Sequence, residues 1–148
     1  MKRRGLGILL AVAAAACASG CAVQGRQFEK AVARPDQAVI YVYRPYHYGS
    51  SLLAPPVTCG EETARIGPGG YHAFVVPAGK VTCAVQTETA DEVNVEGATG
   101  AYYIREEFNW GALMGHPHLN PVDSDGAQTE IQTCCVQEPD STGRSSTR

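Results

Sequence analysis

The strongest constraint on the fold is a rhythm. Short runs of β-branched and aromatic residues recur along the chain, each closed by glycine or proline. The run "KVTCAVQTE" shows the unit at its simplest. Val81, Cys83 and Val85 fall on one side, and Lys80, Thr82 and Gln86 on the other. That period of two is the pattern of a half-buried strand. Val93 and Val95 against Asn94 and Glu96 repeat it. "QAVIYVYRP", ending at Pro45, is apolar on both faces and reads as a central strand. "VTCGEETARIG" predicts a hairpin turning at Gly60-Glu61-Glu62, "YHAFVVP" a strand stopped by Pro77, and "AYYIREEFNW" a long strand. Near the C-terminus "DGAQTEIQTCCV" carries Ala127, Ile131, Cys134 and Cys135 at helical spacing, with Asp125 as the expected cap and Gln128 completing a capping box. "GALMGHPHLNPVDSDG" reads as irregular, with a short strand near 119–122, and a short helix is conceivable over 28–33. Together these predict an all-β fold: a small antiparallel β-sandwich of six to eight strands with a short C-terminal helix.

The first twenty residues do not belong to that pattern. "MKRR" is basic, "GLGILLAVAAAA" is a short apolar run, and "ASGC" is a stretch of small residues. This tripartite arrangement is that of a secretion signal. A bilayer-spanning helix needs about 20 apolar residues, more than this run supplies. Ala18-Ser19-Gly20-Cys21 resembles the bacterial lipobox, although Ala18 stands where leucine is commoner. The resemblance implies cleavage between Gly20 and Cys21, a diacylglycerol on the Cys21 thiol, and acylation of the new amino group. Cys17 is a poorer second candidate. The non-acidic Ala22 implies, by the same resemblance, delivery to the outer membrane. The expected organisation is a signal at 1–20, a lipidated N-terminus and tether at 21–36, a sandwich at 37–136 and a polar, disordered tail at 137–148.

Charge narrows the partners. The chain is net −3, but Lys2, Arg3 and Arg4 all lie in the signal, leaving nine basic and fifteen acidic residues beyond it. An acidic body does not neutralise phosphates, so a nucleic-acid partner is not expected. Charge does not hold it to anionic lipid either. The expected partners are the membrane, through the N-terminal lipid, and an envelope protein. No motif calls for a cofactor.

Three stretches carry a family resemblance. "AVIYVYRP", "GPGGYHAFVVPAGKVTCAV" and "GATGAYYIREEF" are similar to the bacterial lipoprotein domain catalogued as domain of unknown function 2846. The pattern is a Tyr-rich strand ending in Arg-Pro, a Gly-x-Tyr strand, a Pro-x-Gly turn and a Gly-x-Tyr-Tyr strand. It covers about residues 37–135. The resemblance implies a sandwich on a lipid anchor and implies no activity. Within it, Gly79 is expected in a turn conformation that other residues resist. Arg44, held extended before Pro45, can pair with a carboxylate or stay solvated.

The chemistry-bearing residues point to no reaction. His116 and His118 in "GHPH" are the weak metal candidates, two apart in an expected loop, with His47, His72, Asp123 or Cys134 as further ligands. No HExxH or CxxC accompanies them. Cys59, Cys83, Cys134 and Cys135 are disulfide candidates in an oxidising compartment, with three complete pairings open. A Cys59–Cys83 staple is the plainest, and links to the Cys134-Cys135 pair are the alternative. Ser50 and Ser51 near His47 lack a nucleophile elbow. Glu61-Glu62 and Glu106-Glu107 alternate faces and form no acid–base dyad, and each reads as a solvated edge. Tyr41, Tyr43, Tyr46 and Tyr48 suggest either a contact surface or core with one exposed edge. The expected function is non-catalytic binding or envelope scaffolding, with no catalytic residue. The alternative is a metal-binding protein or enzyme centred on His116 and His118.

Overall fold

A computed structural model describes residues 25–46, 53–87, 89–97, 99–109 and 115–139. Cys17, Cys21, the signal, His47, Tyr48, Ser50, Ser51 and the tail beyond 139 lie outside the described residues.

The described residues form a two-sheet sandwich with one short C-terminal helix. Its strands are β1 (Gln37–Arg44), β2 (Pro56–Cys59), β3 (Glu62–Arg65), β4 (Gly70–Pro77), β5 (Gly79–Gln86), β6 (Ala90–Gly97), β7 (Gly100–Asn109), β8 (His116–Val122) and β9 (Val136–Gln137), with α1 (Ser124–Cys134) before β9. One sheet has the order β8-β7-β1-β4-β9 and the other β3-β2-β5-β6. The described residues thus hold nine strands rather than six to eight. The pairing is also mixed, because β1 runs parallel to β7 and β4 parallel to β9.

The central position of β1 explains its composition. Ala38, Ile40 and Val42 face the second sheet and pack with Val57, Ile66, Phe74, Val85 and Ile104. Val39, Tyr41 and Tyr43 face the other way, into a second cluster with Tyr71, Tyr103, Ala127 and Ile131. A strand buried on both faces must be apolar at every position, which "AVIYVY" satisfies. Tyr41 and Tyr43 are therefore core, not contact surface, and only Tyr46 of the described tyrosines in that stretch is exposed. Strand β5 lies in the second sheet with one face to solvent, hence its strict alternation. The turn from β4 to β5 places Gly79 at φ 137°, a conformation strained for any side chain.

The second cluster is roofed by two elements. One is α1, which presents Ala127 and Ile131. The other is the segment 25–34, which is extended rather than helical at 28–33. Phe28 stands edge-on to Tyr41 and Tyr71 at 5.3 and 5.4 Å. The Tyr41 hydroxyl accepts from the Ala31 amide at 2.8 Å, and the Tyr71 hydroxyl accepts from the Glu29 amide at 3.3 Å. The Gln137 amide of β9 donates to the Arg26 carbonyl at 2.7 Å. At Gly25 a β-carbon would collide with the Gln137 carbonyl and the Val136 side chain, so glycine permits the close approach. The described part of the expected tether is thus laid onto the sheet.

Two local expectations change. The helix is capped by Asp123, whose carboxylate accepts from the Gly126 amide at 2.9 Å, and Asp125 sits in the first turn instead. Asp123→Ala should cost about 1 kcal/mol. Urea unfolding would measure it, and unchanged stability would refute the cap's contribution. Strand β8 begins at His116, where a loop was expected. Its Pro117 and Pro121 are tolerated because β8 is the edge strand, where a missing amide donor disrupts no central ladder.

Candidate functional site

Towards the end of the sandwich where β1 finishes, the inward-facing positions turn polar. Arg44 follows Val42 on β1, His72 precedes Phe74 on β4, and Glu106 follows Ile104 on β7. All three are buried, with Arg44 2% and Glu106 1% exposed. The Arg44 guanidinium lies 4.0 Å over the Phe108 ring, and its Nη1 donates to the Leu53 carbonyl at 2.5 Å. Burial lowers its pKa, and the nearby Glu106 charge opposes that shift. His72 Nε2 and Glu62 Oε1 are 2.8 Å apart, an ion pair whenever the imidazole is protonated.

Glu106 is the unusual member. Neither carboxyl oxygen has a hydrogen-bond partner among the described residues. Burial pushes its pKa up to about 8, with Arg44 pulling the other way. The adjacent pair Glu106-Glu107 does split between faces, but Glu106 is core, not a solvated edge. The parity of β7 decides this, since Tyr102, Ile104 and Glu106 share the inward side. A carboxyl held neutral near pH 7 can donate a proton. Here it is buried against the core, and the described geometry is that of a proton-sensitive packing element.

On the outer face, Tyr43, Arg105 and Glu130 link the sheet to α1. The Tyr43 hydroxyl donates to Glu130 Oε2 at 2.8 Å, and Arg105 Nη2 meets Glu130 Oε1 at 3.0 Å. Arg105 Nη1 also meets Glu107 Oε1 at 3.1 Å. Burial, then the bond to the Glu130 carboxylate, raises the Tyr43 pKa. These contacts are internal to the fold, and Arg105 Nε is buried beside them with no partner among the described residues.

His116 and His118 do share one face of β8, opposite Asn109 and Glu107. Among the described residues no three His, Cys, Asp or Glu side chains are grouped to hold a metal. Of the further ligands suggested by the sequence, His72 faces inward to Glu62, Asp123 caps α1, and Cys134 is bonded to Cys135. Cys59 and Cys83 are joined across β2 and β5, where they stand directly opposite each other. The Cys134–Cys135 bond forms where α1 ends, with Cys135 in an extended conformation. No disulfide ties α1 to the sheets among the described residues.

Midway along the strands a cleft of about 370 Å³ opens between β6 and the β7–β8 edge, lined by Asn94, Val95, Tyr102, Ile104, Pro121 and Val122 among others. Its volume suits a few side chains or a small ligand. Tyr102, half-buried, supplies an aromatic wall, while Tyr103 points the other way and stacks on Tyr41 at 5.1 Å. No described helix is long and apolar enough to cross a membrane. Comparison with protein families, curated proteins and solved structures returned no match. The buried polar corner and the segment 25–34 escaped sequence reasoning. The available signal was Arg44 and Glu106 at the ends of otherwise apolar inward registers.

Proposed function

We propose that this chain is a bacterial envelope lipoprotein of the kind catalogued as domain of unknown function 2846. Its Cys21 carries the lipid, and its sandwich faces the periplasm from the outer membrane as a non-catalytic binding or scaffolding module. The observation that carries the proposal is the basic, apolar and small-residue series ending in Ala18-Ser19-Gly20-Cys21. Two bonded cysteine pairs suit an oxidising compartment. Two or more acyl chains give stable attachment where one does not. The cleft beside Tyr102 has room for a partner's side chains.

Cys21→Ala tests the anchor. The variant should lose its lipid and move from the membrane fraction to the soluble periplasm. A variant that still floats with membranes and keeps a lipid mass would overturn the assignment.

A further inference from the structure

The structure shortens the distance between lipid and domain. The sequence alone suggests a tether of about fifteen residues. In the fold, the chain from Gly25 onward is held by the Arg26–Gln137 hydrogen bond, by Phe28 between Tyr41 and Tyr71, and by two tyrosine hydroxyls. Only residues 22–24 separate Gly25 from Cys21. Four extended residues span at most about 14 Å. The eight residues of β1 span roughly 26 Å, so the leash is shorter than the sandwich.

The place where the leash meets the body is defined by register. Gln137 pairs with Tyr71 and Val136 with Gly70, at the start of β4. Gly70 in turn faces Arg44, at the finish of β1. Tyr46 and Leu53 lie just beyond that finish, at the same end. They are two of the three large apolar side chains exposed among the described residues, 61% and 45% respectively. Tyrosine, with an apolar ring and a polar tip, favours the boundary between headgroups and acyl chains.

We propose that the Arg44 end of the sandwich is a second membrane contact, seated on the bilayer that holds the lipid, with Tyr46 and Leu53 at the headgroup boundary. The proposal rests on lipidation of Cys21. Its consequence is orientation: the far end of the sandwich, where Gln37 pairs with Pro77 and the chain turns at Gly79, is directed away from the lipid surface and towards the periplasm.

The test uses the full lipidated protein in phosphatidylethanolamine–phosphatidylglycerol vesicles with brominated acyl chains, which quench nearby tryptophan. The chain's single tryptophan, Trp110, is replaced by phenylalanine. Reporters are then placed singly as Tyr46→Trp and, at the opposite end, Lys80→Trp. Intact mass first establishes the lipid. The reporter at 46 should be quenched several-fold more strongly than that at 80. Inserting about twenty Gly/Ser residues between Val23 and Gln24 should reduce the difference, because a flexible linker lengthens the leash. Equal quenching at both positions in lipid-bearing protein would overturn the seated orientation while leaving the anchor intact. Protein without lipid mass would overturn both. If the Trp110 replacement prevents folding, paramagnetic broadening of wild-type amides by spin-labelled lipid reads the same contrast, with 46 and 53–54 broadened and 78–80 spared. The reverse pattern refutes the proposal.

Discussion

Glu106→Gln is expected to stabilise the protein at neutral and alkaline pH and to flatten its stability between about pH 4.5 and 8. The carboxyl's ordinary value is 4.5, and burial raises it to about 8 in the fold. Between those values the unfolded chain ionises while the folded chain keeps its proton. Stability therefore falls as pH rises through that window, by about 1.4 kcal/mol per unit for this single group. The favourable neutral form is fully in place below 4.5, and the loss is complete above 8. Glutamine has nearly the same shape and no charge, so it removes the titration. Its amide inherits a site without hydrogen-bond partners, which offsets part of the gain. The net gain at pH 7 should be on the order of 1–3 kcal/mol. Denaturant unfolding of both proteins across pH measures it. A wild-type stability that rises from pH 5 to 8 would mean the carboxylate is held ionised, contrary to the burial argument. Arg44→Met should push the titration higher still, since the Arg44 charge is the opposing influence.

Removing the Cys59–Cys83 bond should cost about 3–4 kcal/mol. The bond closes a stretch 24 residues apart in sequence, and the loss of that closure frees the unfolded chain. Both cysteines are fully buried, so the double variant Cys59→Ala with Cys83→Ala also forfeits packing against Val57 and Val85. For a domain of ordinary stability that is a large share of the total. The Cys134–Cys135 bond should behave differently. It spans one peptide, closes almost no chain, and its replacement by two alanines should change stability by less than about 1 kcal/mol. Thermal unfolding of the two double variants separates these cases. Equal losses would contradict the chain-closure account.

These contrasts show what the sequence could reveal. Strands β1 and β5 were readable because burial on two faces or one writes directly into residue parity. Cys59 and Cys83, both on inward positions of neighbouring strands, were suggested as partners for the same reason. Pairing was harder. The parallel contact of β1 with β7 joins residues about sixty apart, and no local pattern encodes it. Strand β8 was hidden by Pro117 and Pro121, which an edge strand tolerates and a central one does not. The segment 25–34 has too few apolar residues to show a period. Phe28, Ala31 and Ala33 gain meaning only against the tyrosine face that other strands build. Glu106 looked solvated because a carboxylate usually is. Its burial follows from β7 parity, which is visible only once Ile104 is known to face inward.

The proposed membrane attachment depends on one covalent modification, the lipid at Cys21. The most direct measurement is the intact mass of the mature protein extracted from envelope membranes in detergent, with fragmentation of its N-terminus. The predicted result is a chain beginning at Cys21 that carries a thioether-linked diacylglycerol and an acylated amino group. A chain beginning at any other residue, or a Cys21 thiol free of lipid, would contradict it.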